Sequence, residues 1–186
     1  IVTYFAFAQP SHAMSVVQAE QLVNKVIDEI NKIIASGKHD TAILREFEKL
    51  FEKYADMQRI SKFVLGKDAR KVNDRELARF TSAFKIYISH KYGKRFREFL
   101  GGKIHITSSA RRKKYSEVNA EVQLRKQKPF DVKFLVSDAA GKPLFFTMII
   151  EGIDLILLER SEIGSLLDRN KGDIGDLIKD LENLIG

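Results

Sequence analysis

Around Gly101-Gly102 the hydrophobic pattern of this chain changes period. Before that point apolar residues recur at three- and four-residue steps, which predicts helices with one buried face. After it they alternate with polar neighbours, which predicts strands with one wet and one buried face. A chain ordered in this way closes its helices over one side of an antiparallel sheet. With 186 residues, it is long enough for one domain that buries roughly 70% of its unfolded surface.

The helical half reads as four segments. From Ser15 to Ser36, Leu22, Val23, Val26, Ile27, Ile30, Ile33 and Ile34 form a stripe closed by Gly37. Asp40 is the expected N-cap of a second helix, whose stripe is Ile43, Leu44, Phe47, Leu50, Phe51 and Tyr54. Asp56 caps a short third helix through Ile60, Phe63 and Val64. Asn73 or Asp74 starts a longer fourth helix, with Leu77, Phe80, Phe84, Tyr87, Ile88, Tyr92, Phe96 and Phe99 on its apolar side.

Four strands follow. Ile104 and Ile106 mark the first, and Val118, Ala120, Val122 and Leu124 the second. Phe130, Val132, Phe134 and Val136 mark the third. The turns are Ala110–Tyr115, which carries Arg111, Arg112, Lys113 and Lys114, and Asp138–Gly141. In the fourth strand, Leu144–Ile150, Phe145 and Ile149 are expected on the face opposite Phe146, Met148 and Ile150. A second apolar run, Ile153–Leu158, precedes two closing helices, Ser161 to Asn170 and Asp173 to Leu184. The expected fold is α+β, a single domain spanning residues 14–186. Its helices pack on the concave apolar face of a four-stranded antiparallel curved sheet.

Charge is concentrated. Residues 59–128 hold 20 basic and 6 acidic groups, whereas residues 1–58 hold 6 and 8, and residues 129–186 hold 6 and 11. So basic a middle favours an anionic partner: nucleic acid, a lipid head group or an acidic protein. It also fits a solvated helix face plus a basic turn. At the N-terminus, the apolar Ile1–Ala8 is followed by Gln9-Pro10 and Ser11-His12-Ala13. That pattern reads as the tail of a secretory signal peptide cleaved after Ala13, with Met14 as the first mature residue. Export would shift the expected anion from nucleic acid to lipid or protein.

Catalytic patterns are missing from the sequence. It holds no Cys, so thiolate metal sites and cysteine nucleophiles are excluded. Its His residues, 12, 39, 90 and 105, form no metal-binding spacing, and no phosphate-binding or nucleophile-elbow motif occurs. Glu151 and Asp154 are the acids set among apolar residues, with Arg160 as an expected ion-pair partner. Large apolar side chains are abundant instead: 13 Phe and 5 Tyr, with no Trp. They make either a Phe-rich core or two layers held apart around an apolar cavity.

Several segments resemble the MlaC family of periplasmic phospholipid-transport proteins, also known as toluene-tolerance proteins. Ile150-Glu151-Gly152-Ile153-Asp154-Leu155-Ile156-Leu157-Leu158-Glu159-Arg160-Ser161 is similar to the family's "VEGVSLV…YR.QF" stretch and leads into the closing helix at Asp173–Leu181. Asp56–Gly66 resembles the "D...IA...LG" stretch, and the helix with Phe80, Phe84 and Tyr92 resembles "F...F...L...Y...L". Together these cover about residues 18–184. Pro143–Met148 lacks the family's Trp and Asp, Glu159 replaces the Tyr of "YR", and Ile163 replaces the Phe of "QF".

The resemblance implies a non-enzymatic, monomeric carrier in a Gram-negative periplasm, with no cofactor and phospholipid as cargo. It would exchange lipid with an outer-membrane lipoprotein complex and an inner-membrane ABC transporter. On that reading the acyl tails lie among Phe63, Phe80, Phe84, Tyr87, Phe134, Phe146, Met148, Ile150 and Leu155. Arg111, Arg112, Lys113 and Lys114 would meet head groups or docking partners. The reading of a different class is a nucleic-acid-binding or acidic-protein-binding module using residues 59–128.

Overall fold

The computed structural model describes residues 14–93, 102–124 and 127–184. The expected signal-peptide remnant, Ile1–Ala13, lies outside the described residues, as do Phe96 and Phe99. The described elements are α1 (Val16–Ala35), α2 (Asp40–Tyr54), α3 (Met57–Leu65), a 3₁₀ turn at Gly66–Arg70 and α4 (Asp74–Gly93). They continue with β1 (Lys103–Arg111), β2 (Ser116–Gln123), β3 (Phe130–Ser137), β4 (Leu144–Ile150), β5 (Ile153–Asp154), α5 (Leu155–Arg169) and α6 (Ile174–Asn183).

Local chemistry sets most of these bounds. Ser15 and Gln18 form a reciprocal capping box at the start of α1. Asp56 accepts the Arg59 amide at α3, and Asn73 with Glu76 forms a second reciprocal cap at α4. At α2 the cap position is His39, one residue before the expected Asp40, and its side chain makes no capping hydrogen bond. Gly66 ends α3 at φ +60 and ψ −126, a backbone region that is essentially glycine's alone.

The sheet is a five-stranded antiparallel meander in the order β1-β2-β3-β4-β5. The sequence predicts four strands. The extra one is the two-residue β5, where Ile149 pairs with Asp154 and Ile150 with Ile153 across the Glu151-Gly152 turn. The helix expected from Ser161 starts earlier, at Leu155, because the Asp154 side chain caps it by accepting the Ile156 amide. Most of the apolar run Ile153–Leu158 is therefore the first turn of α5.

Val118, Ala120, Val122, Val132, Phe134 and Val136 form the buried face of β2 and β3. α1 packs on β1, β2 and β3, and α3 and α5 pack on β4, while α4 bridges α2, α3 and α6. Each large apolar side chain buried this way contributes about 1.5–3 kcal/mol. The α2–α3 junction joins the sheet as well: Ala55 bridges Phe145, and the Asp56 amide donates to the Phe145 carbonyl at 2.8 Å.

Candidate functional site

β4 departs from simple alternation. Leu135 pairs with Thr147 but Val136 pairs with Phe145, so Phe146 is an extra residue in a β-bulge. The bulge corrects the expectation that Phe145 faces away from Phe146, Met148 and Ile150. All four side chains line one cavity between β4 and the helices. Phe84, Ile88 and Tyr92 line it from α4 at successive four-residue steps, and Leu155, Ile156 and Glu159 from α5. Phe51, Ile60 and Thr147 complete the wall. The cavity volume is about 80 Å³.

Of the nine residues assigned to an apolar site from sequence, Phe84, Phe146, Met148, Ile150 and Leu155 line this cavity. The other four lie elsewhere. Phe80 is fully buried and stacks on Phe84 at 5.6 Å, behind the wall. Tyr87 sits beside Phe84, its ring centroid 6.1 Å away, with its hydroxyl directed to Glu162. Phe134 supports Phe145 edge-on from the neighbouring strand at 6.3 Å. Phe63 is 36% exposed, and Arg160 lies over its ring at 4.8 Å. Its displacement follows from helix geometry: the buried stripe of α3 steps from Ile60 to Val64, which leaves Phe63 on the flank.

Arg111, Arg112, Lys113 and Lys114 are all exposed at the β1–β2 turn. Arg112 pairs with Glu117 at 2.9 Å, and Lys133 approaches the same carboxylate oxygen at 3.6 Å.

The acids singled out from sequence have local roles. Asp154 accepts the Thr147 hydroxyl at 2.7 Å while capping α5, and Glu151 occupies a turn at φ 49. Arg160 pairs with neither; it donates to the Phe63 carbonyl at 3.3 Å.

The charged group at the cavity wall is Glu159, 4% exposed. Its Oε1 accepts from Lys91 Nζ at 2.7 Å and from the Tyr92 hydroxyl. Among the described residues its Oε2 has no hydrogen-bond partner. Lys91 also donates to Glu162 Oε2 at 2.5 Å, and Tyr87 donates to Glu162 Oε1 at 2.5 Å. A sequence signal for Glu159 exists, since it interrupts the apolar stripe Ile156–Ile163–Leu166.

Electrostatics follow from this cluster. Burial draws the Lys91 ammonium down, but hydrogen bonds to Glu159 and Glu162 outweigh it and hold the pKa above the ordinary value of 10.5. Burial pushes Glu162 up, yet Lys91 and Tyr87 bring it below 4.5. Tyr87 and Tyr92 are both pushed up, by burial first and then by the adjacent carboxylates. Among the described residues no group of three or more His, Asp or Glu could hold a metal ion. No described helix is long and apolar enough to cross a membrane.

The cavity wall between β4 and the helices is apolar apart from Thr147 and Glu159, which suits an apolar ligand. Residues 20–183 match the family described as MlaC protein, and the chain belongs to that family. Among solved structures it is similar to the phospholipid-binding protein of Ralstonia solanacearum, determined in complex with a phospholipid. The TM-score is 0.75 at 14% identity, covering 90% of this chain and 97% of that one. No curated protein matches the chain.

Proposed function

We propose that this protein is a monomeric periplasmic carrier of glycerophospholipid, with the acyl tails held in the cavity between β4, α4 and α5. The observation that carries this reading is the cavity wall, aliphatic and aromatic except at Thr147 and Glu159. Membership of the MlaC family and the fold shared with a phospholipid-binding protein support it. Moving an acyl chain of about 15 methylenes into water costs on the order of 12 kcal/mol, at ~0.8 kcal/mol per methylene. A carrier removes that cost by replacing bilayer with side chains. No catalytic group is required, and the protein works without cofactor or metal.

The cavity of about 80 Å³ is smaller than the roughly 300–1,000 Å³ that drug-sized ligands occupy. Cargo is therefore admitted by separation of α4 and α5 from β4. In this reading the carrier is exported by a signal peptide and exchanges lipid with an outer-membrane lipoprotein complex and an inner-membrane ABC transporter. The exposed turn Arg111–Lys114 serves docking.

Native mass spectrometry of the gently purified chain tests the proposal. One bound glycerophospholipid per chain is expected. Chains that carry none, and take none from phospholipid vesicles, contradict it.

A further inference from the structure

Two residues of the cavity wall, Glu159 and Phe146, have differently charged neighbours. Beside Glu159, Lys91 is shared between Glu159 and Glu162 at 2.7 and 2.5 Å. Two carboxylates face one ammonium there, so a phosphodiester beside Glu159 is repelled.

Phe146, another residue of the wall, has a cationic neighbour. The guanidinium of Arg59 lies over its ring at 3.7 Å, and Arg59 Nη1 donates to Ser137 Oγ at 2.8 Å. Arg59 is partly buried, and among the described residues it forms no ion pair. The acids next to its anchor points are engaged elsewhere. Asp56 accepts the Arg59 backbone amide at 3.1 Å, and Asp138 accepts the Met14 amide at 2.7 Å. A guanidinium has five N–H donors in a rigid fork that matches a phosphate. Here the ring and the serine fix the fork, and among the described residues most of its donors are unused.

The neighbouring turn adds charge of the same sign. Tyr115 meets Phe146 edge-on at 5.9 Å, and the Arg112 amide donates to the Tyr115 carbonyl at 2.8 Å. That contact anchors the exposed Lys113 and Lys114 turn at the Phe146 side of the cavity.

We propose that Arg59 is the phosphate-binding residue of this cavity. The cargo is an amphiphile with an anionic phosphodiester head, its tail beneath Phe146 and Met148 and its diester oxygens on the Arg59 fork. This rests on the carrier reading above.

Competition separates the two claims. The full chain is equilibrated with vesicles containing dioleoyl-phosphatidylglycerol and dioleoylglycerol in equal amounts, and the bound lipids are counted by native mass spectrometry. The unaltered chain retains phosphatidylglycerol in preference. Arg59→Gln lowers the ratio of phosphatidylglycerol to dioleoylglycerol about tenfold, the factor carried by one charge-assisted hydrogen bond. Arg59→Lys recovers part of it, because a point charge lacks the fork. On the unaltered chain, the Arg59 Nε–Hε NMR signal moves when phosphatidylglycerol is bound and stays when dioleoylglycerol is bound. This second readout does not depend on the variants folding. A ratio unchanged in Arg59→Gln, or an Arg59 signal that moves equally with both lipids, overturns the assignment. An unaltered chain that retains neither lipid contradicts the carrier reading itself.

Discussion

Lys91 of α4 reaches Glu159 of α5 at 2.7 Å, which ties together two helices that wall the cavity. Glu159 is nearly dry and Lys91 about one-quarter exposed, with side-chain exposures of 5% and 26%. Removing the ammonium strands a buried carboxylate, so Lys91→Met is expected to cost about 2–3 kcal/mol. Replacing both residues, as in Lys91→Met with Glu159→Leu, should cost less than the single change, because no buried charge is left alone. Urea denaturation midpoints of the single and double variants check the order.

The same cluster sets a pH window. Glu162 holds its proton less tightly folded than unfolded, so its contribution is complete above the ordinary carboxylate range and fades as pH falls through its lowered value. Lys91 holds its proton more tightly when folded, as do Tyr87 and Tyr92. Their contributions are complete below about pH 9.5 and fade as pH rises beyond it. Melting temperature should therefore be flat between about pH 5 and about pH 9 and fall on both sides. In a Lys91→Met, Glu162→Gln variant, melting curves at stepped pH should show the deficit against the unaltered chain shrinking at both extremes.

Gly66 makes a separate test of the fold. Its φ of +60 excludes most side chains, and a Cβ there would lie 3.1 Å from Arg160 Nη2. Gly66→Ala is expected to destabilise the protein by about 1–3 kcal/mol and to displace Arg160 from the Phe63 ring. Thermal unfolding measures the first effect.

Filling the chamber should uncouple binding from folding. Met148→Trp places a large ring in a space of about 80 Å³. Overpacking of that kind costs about 1–3 kcal/mol, which a domain of this size tolerates. Lipid extraction from the folded variant should yield far less phospholipid than from the unaltered chain.

Helix stripes and strand alternation made the order of layers legible from sequence, because both periods report directly which face is buried. Ile60 and Phe63 show where that reading stops. They are three residues apart on one short helix, and only the i,i+4 step to Val64 decides which of them meets the cavity. Phe145 was hidden for another reason. A bulge at Phe146 arises from pairing with β3, and nothing local to β4 announces it. Glu159 was visible as an acid in an apolar stripe, but its partners Lys91 and Tyr92 come from another helix. The family's Tyr at that position made it read as a simple departure.

The chain has no Trp, so Phe146→Trp gives a fluorophore at the cavity edge with no background. It keeps an aromatic ring under Arg59, a placement that Trp suits best among the aromatic residues. Its emission is measured with phosphatidylglycerol brominated midway along the acyl chain and with the unbrominated lipid. Strong quenching by the brominated lipid alone is expected of a cavity that takes acyl tails. Emission indifferent to bromination, with lipid bound to the chain, contradicts tails lodged between β4, α4 and α5.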